Sequence, residues 1–162
     1  TAAFEAEHKR RSSSVRFVQG DLHDPATVRD VGVHDVVWCS GVLYHAPHPL
    51  LTLQHLRELT GRRLILSTAT IPEVPGIKQA CVLYPGLDAG GRAIFAPVLP
   101  GPTRLAISEP FDPAESYGNW WWGITPSALR GMLTATGFEL EELIVTPFAA
   151  TAVARVAEAG GE

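Results

Sequence analysis

Six residues able to react, ligate or admit a ligand closely crowd into the stretch VVWCSGVLYHAPH: Cys39, Ser40, Gly41, Tyr44, His45 and His48. Three chemistries suit such a set. A serine nucleophile on a sharp strand-to-helix turn needs Gly-x-Ser-x-Gly. Here Trp38 stands in place of the first glycine and Gly41 adjoins Ser40, so the elbow does not form. Zinc takes thiolate and imidazole ligands, and Cys39, His45 and His48 are candidates. Pro47 and Pro49 bracket His48, however, so the two histidines do not share one helical face, and the segment holds no carboxylate. No metal is therefore expected. The third chemistry is the rim of a ligand pocket, with Gly41 letting backbone approach a bound molecule closely. A strand end followed by a helix start, with Tyr44 and His45 merely packing, is the alternative to all three.

Asp21 supports the pocket reading. In open α/β sheets, ligands lie beyond the carboxyl ends of the strands. Three expected strand ends carry small or polar residues: Gly20-Asp21, Cys39-Ser40-Gly41 and Ser67 to Thr70. A carboxylate at Asp21 can accept from an amine or hydroxyl of a nucleoside, while the Leu22 N–H reads a ring nitrogen. The alternative role for Asp21 is a turn or cap.

The elements that must position these residues follow from periodicity and punctuation. Ala2 to Arg11 reads as a helix, ended by the serines at 12–14, with HKRR complementing the dipole at its carboxyl end. VRFVQG (Val15 to Gly20) reads as a short strand closed by glycine. Asp24 before Pro25 starts a helix. VHDVVWCS is apolar enough for a strand buried on both faces. In HPLLTLQHLRELTG, Leu50, Leu53, Leu56 and Leu59 make a helical stripe that Gly61 closes. Leu64 to Ala69 is the next strand, and strand–helix–strand at this spacing is a right-handed parallel crossover. Thr125, Pro126 and Gly137 bound another helix with Leu129 and Leu133 facing inward. FELEELIVTPF and ATAVARVAE form an antiparallel pair at the sheet end. Between Ile71 and Gly118 the chain is rich in proline and glycine, and a loop this long is expected to be functional. It is read as an insertion or lid, with a hairpin expected from GRAIFAPVL and TRLAIS.

The bulk numbers fit this plan. The chain has 162 residues, 46% hydrophobic and 19% charged, with a net charge of −4. That suits one domain over 1–162, with 71–118 inserted in it. The acidic balance does not favour nucleic acid as partner. No apolar run approaches the roughly 20 residues of a membrane helix. Cys39 and Cys81 form no disulfide framework and are expected to be inert buried thiols in a reducing, cytoplasmic setting. TAAFEAEHKR opens as a helix already under way, without a cap, so upstream sequence is expected.

Taken in order, VRFVQGDLHD, HDVVWCSGVLYHAPHPLLTLQHLREL, RRLILST and TPSALRGMLTATGFELEEL resemble the class I S-adenosylmethionine-dependent methyltransferases. The resemblance spans all but the 71–118 insertion. Its most specific part, GVLYHAPHPLLTLQHL, is similar to the segment after the fourth strand, especially in the branch that alkylates the wobble uridine of tRNA. It implies an α/β, Rossmann-like sheet of strand order 3-2-1-4-5-7-6 with an insertion after strand five. The first two strands and the glycine-rich cofactor loop have no counterpart here, which leaves a raw sheet edge. The resemblance further implies S-adenosyl-L-methionine as cofactor. Asp21 and Leu22 match the adenine end, Ser40 and Tyr44 match cofactor-lining positions after strand four, and Gly41 beside Ser40 is assigned to the same cofactor rim for its open backbone. His45 lies nearest the expected methyl position and is the candidate catalytic base. In YGNWWWG, Trp120 and Trp122 share one strand face and are expected to wall a planar acceptor, with Asn119 as a polar contact. Alternatively, the tryptophans pin the insertion to the sheet. The expected reaction is methyl transfer to an O or N nucleophile of a small molecule. A tRNA-modifying enzyme, a non-catalytic Rossmann-like binding module and a nucleotide-dependent oxidoreductase of similar layout are the alternatives.

Overall fold

The computed structural model describes residues 2–95 and 111–158. Helix α1 (Ala2–Arg10) carries His8, Lys9 and Arg10 in its last turn, as its dipole favours. Helix α2 (Pro25–Val31) starts where expected: the Asp24 side chain accepts from the Ala26 N–H, and Pro25 occupies the first turn. Strand β1 (His34–Ser40) leads through a 3-10 turn (Leu43–His45) into α3 (Pro49–Leu59), which returns as β2 (Thr60–Ala69). β1 and β2 pair in parallel, with Val37 beside Leu64 and Cys39 beside Leu66. The helix ends at Leu59, two residues before Gly61, and β2 begins at Thr60 rather than at the expected Leu64.

Beyond the region of β3 (Cys81–Leu83) and α4 (Ala89–Phe95), a second 3-10 turn (Pro113–Gly118) leads to β4 (Trp122–Ile124) and α5 (Pro126–Ala135). Strands β5 (Phe138–Val145) and β6 (Ala149–Val156) complete the main sheet, of order β1-β2-β6-β5. β6 is antiparallel to both neighbours. This order corresponds to the 4-5-7-6 end of the arrangement that the resemblance implies.

The core lies on one face of that sheet. Cys39, Leu64, Leu66 and the alanines at 150, 152 and 154 meet Leu53 and Leu56 of α3 and Leu129 and Leu133 of α5. Small side chains on the central strand let both helices close on the sheet. The opposite face is open. Val36 and Trp38 project from it, Trp38 with 72% of its surface exposed. The expected burial of β1 on both faces is thus corrected: α3 and α5 cover one face, and no described helix covers the other.

Two further expectations change. Val15 to Gly20 is not a strand. A strand needs a ladder partner, and none of the described residues provides one. Val15 and Phe17 stay exposed, Phe17 meeting the Phe4 ring at 5.0 Å and Arg16 reaching Asp30. The hairpin expected from Gly91 is also corrected, because residues 89–95 are helical and the Asp88 carboxylate accepts from the Gly91 N–H at 2.7 Å. Its remaining part, including TRLAIS, lies outside the described residues. β3, inside the insertion, pairs instead with β4 just beyond its end. No helix among the described residues is long and apolar enough to cross a membrane.

Candidate functional site

A cleft of about 520 Å³ opens beside Gln19, Gly20, Asp21, Leu22 and His23, closed by Val42, Thr52 and Tyr117. The turn that shapes it depends on glycine at 20. A β-carbon there would stand 2.5 Å from Thr27 Oγ1 of α2, too close for any side chain. Asp21 folds back on its own turn: its Oδ1 accepts from the His23 N–H at 2.8 Å and from the Tyr117 hydroxyl at 2.8 Å. The backbone bond, helped by the Tyr117 hydroxyl and the nearby His23 ring, holds the carboxyl below its usual range. Among the described residues nothing donates to Asp21 Oδ2 and nothing accepts from the Leu22 N–H. The Leu22 carbonyl is anchored by His55 Nδ1 of α3 at 2.6 Å. Asp21 and Leu22 both line the cleft, and among the described residues this carboxylate oxygen and this backbone donor have no partner.

Gln19, His23, Val42, Thr52 and Tyr117 were not expected in it. Tyr117 belongs to the quoted YGNWWWG motif, and His23 to the DLHD turn, so both had a local signal. Thr52 had none, being one more residue on the α3 face. Ser40 and Gly41 end β1 in exposed positions, with the Gly41 N–H bonded to Ser67 O at 3.0 Å. Gly41 has φ +73 and open space where a side chain would be. Both lie in sequence just before the cleft residue Val42 but do not line the cleft.

Tyr44 and His45 belong to a second cluster. His45 Nδ1 lies 2.6 Å from the Asn119 carbonyl, so that nitrogen carries the proton and donates. In the neutral ring Nε2 is then left as the acceptor. Trp120, 5% exposed, packs on Tyr44 at 4.4 Å and meets the edge of His45 at 6.1 Å. Tyr84 lies beneath it, and burial pushes both tyrosine hydroxyls up. The Trp121 N–H donates to Tyr44 O, and Trp122 Nε1 donates to Pro47 O at 3.1 Å. Residues 119–122 are thereby stitched along residues 44–47. The Asn119 amide is occupied with the Asp112 backbone, donating to its carbonyl at 2.6 Å and accepting from its N–H at 3.0 Å. Trp120 precedes β4, so the two do not share one strand face, and they enter separate apolar clusters.

The metal candidates do not converge. Cys39 faces the core, where burial pushes its thiol up to about 11, while His45 is held by Asn119 and His48 is exposed at the start of α3. Among the described residues no three such side chains could share an ion. Cys81 departs from the expectation of two buried thiols: it is exposed on β3.

No protein-family model matches the chain, and no curated protein matches it significantly. Solved structures do match its fold. The N-terminal domain of EvdMO1, with S-adenosylhomocysteine bound, superposes with a TM-score of 0.56 at 15% identity, over 94% of this chain and 58% of that one. Magnesium protoporphyrin IX methyltransferase (ChlM) from Synechocystis PCC 6803, also with S-adenosylhomocysteine, gives 0.51 at 21% identity, over 96% and 58%. The 1,6-didemethyltoxoflavin-N1-methyltransferase of Burkholderia thailandensis, with 1,6-didemethyltoxoflavin and S-adenosylhomocysteine, gives 0.59 at 13% identity, over 96% and 56%. The chain spans under two thirds of the length of each. At these identities the likeness shows the fold alone, a Rossmann-like α/β sheet of the kind these proteins have.

Proposed function

We propose that this chain acts in S-adenosylmethionine-dependent methyl transfer to an oxygen or nitrogen nucleophile of a small molecule. One observation carries the reading: Asp21 and Leu22 line the cleft, and among the described residues neither Asp21 Oδ2 nor the Leu22 N–H has a partner. An acceptor and a donor so placed suit the amine edge and a ring nitrogen of adenine, and the donor set fits the cofactor that the fold relatives carry. Asp21 and Leu22 would hold the nucleoside, and Ser40, Gly41 and Tyr44 would line the rim towards the methionine end. When bound, the cofactor supplies a methyl group made electrophilic by its sulfonium.

The chain's own residues do the rest. Asn119 fixes His45 with its proton on Nδ1, so Nε2 takes the acceptor's proton as the nucleophile is alkylated. A base so positioned contributes typically 10²–10⁴-fold. Trp120 and Trp122 hold Asn119 and its neighbours against this edge, excluding water from the acceptor side. A small-molecule acceptor fits a chain of net charge −4 better than a polyanion such as tRNA does. The free thiols Cys39 and Cys81 fit a reducing, cytoplasmic setting.

The test is isothermal titration of S-adenosylhomocysteine into the full-length polypeptide, beside Asp21→Ala. Binding weakened at least about tenfold by the substitution, about 1.4 kcal/mol, is expected. Absence of binding by the folded protein overturns the proposal. Radiolabelled methyl transfer to a small-molecule panel, with an unmodified tRNA alongside, then separates the acceptor classes, and binding without transfer to either identifies a non-catalytic module.

A further inference from the structure

A second cavity, of about 490 Å³, opens where β2 runs out into Thr70 and Ile71, beside the turn that joins β5 to β6. It shares no lining residue with the cleft at Asp21. Ile71, Pro72, Pro126, Pro147 and Phe148 supply apolar wall. Three of these are prolines, whose rings fix the backbone. Hydrogen bonds fix the rest: the Thr70 N–H donates to the Phe148 carbonyl and the Ile71 N–H to the Ile124 carbonyl, each at 3.0 Å. The walls are therefore in place before a ligand arrives, and little ordering opposes its entry.

Thr70, Glu73 and Thr146 are the polar side chains of the lining, and two of them are already engaged. Both Glu73 carboxylate oxygens accept from Ser127, one from its N–H and one from its hydroxyl, at 2.7 Å. The Thr146 hydroxyl donates to the Ala149 carbonyl at 3.1 Å and accepts from the Ala149 N–H at 3.2 Å. Thr70 is different. It is only 2% exposed, yet its hydroxyl bonds to no described residue, and its oxygen is not sealed within the packing. A buried hydroxyl without a partner is costly, and a wall has no need of it, since valine has nearly the same shape. A ligand in the cavity supplies the missing bond. Charge narrows the choice. No lysine, arginine or histidine lines the cavity, and its one ionisable group is the Glu73 carboxylate. An anion would lose its hydration there with nothing to compensate.

We propose that this cavity is a second small-molecule site, taking a neutral, largely apolar ring compound held through one hydroxyl or carbonyl on Thr70. The site stands independently of the cofactor reading. Its occupant would lie against Phe148, which also packs on the Tyr84–Trp120 pair beside Tyr44.

The test uses the full-length polypeptide and amide NMR, with 2-naphthol, naphthalene and naphthalene-2-sulfonate as probes. 2-Naphthol should shift the amides of Thr70, Ile71, Thr146 and Phe148 and bind more tightly than either of the others. Thr70→Val breaks no internal bond. It should weaken 2-naphthol about threefold to tenfold, the scale of one neutral hydrogen bond, and leave naphthalene unaltered. No shift at these amides up to the solubility limit of 2-naphthol, or shifts at Gly20 to His23 in their place, overturns the site. Equal effects of Thr70→Val on 2-naphthol and naphthalene overturn the anchoring by Thr70. The sulfonate binding as tightly as 2-naphthol overturns the assignment of a neutral ligand.

Discussion

His23 gives the site a measurable signature at the scale of single residues. Burial holds its imidazole below the ordinary value of 6.5, against the pull of the Asp21 charge. The unfolded chain therefore takes up a proton at a pH where the folded one does not, and stability rises with pH across that interval. The contribution is complete above 6.5 and is lost as pH falls through the lower, folded value. We expect the urea midpoint of the parent to drop on acidification below pH 6.5, and that increment to vanish in His23→Gln. An identical pH dependence in the two proteins would refute the assignment. Asp21 and Leu22 were legible from the sequence because their cue is local: a glycine closing an extended run, then a carboxylate. Tyr117 was quoted for its motif but not placed, since it meets Asp21 across 96 residues of chain. His45 was legible as a polar residue after a strand. Its partner, the Asn119 carbonyl, belongs to the backbone, which carries no residue-specific mark.

The helices announce themselves through their ends. Thr125 caps α5 by accepting from the Ala128 N–H, and its hydroxyl also donates to the Ala80 carbonyl at 3.0 Å. Glu73 adds a carboxylate at the same end, bonded to both the Ser127 N–H and its hydroxyl at 2.7 Å. The N-terminal end of a helix favours that charge. Thr125→Ala should cost about 1–2 kcal/mol in urea unfolding, with Thr125→Ser restoring most of it. Cap residues and the leucine stripe act within one turn of the chain, so α2, α3 and α5 could be read directly. Val15 to Gly20 has the composition of a strand, but pairing decides whether a strand forms, and no described neighbour pairs with it. Residues 89–95 differ in another way: Asp88 accepts at the first turn of a helix where a hairpin was expected.

Seen whole, the sheet is finished on one side only. Parallel strands are ordinarily covered on both faces, yet Val36 and Trp38 look outward from β1, whose outer edge pairs with no strand among the described residues. Exposed apolar surface beside an open edge favours association between copies. The 162-residue chain should sediment as a concentration-dependent mixture, and Trp38→Lys should move that mixture towards monomer. Unchanged sedimentation would show that this face is not sticky. The strand order was legible only through the resemblance, since periodicity alone does not say that β6 enters between β2 and β5.

That entry sets a timetable for synthesis. β6 is the middle of the sheet, with Arg155 beside Arg63 of β2 and Ala152 beside Leu143 of β5. Yet it leaves the ribosome after every other described strand. Until it does, β2 and β5 have no common neighbour, and the alanine floor beneath α3 and α5 is missing. Pairing so distant in sequence folds slowly, so the nascent chain waits with its core unclosed. A premature stop codon before Ala149 would therefore split the sheet in two instead of trimming its margin.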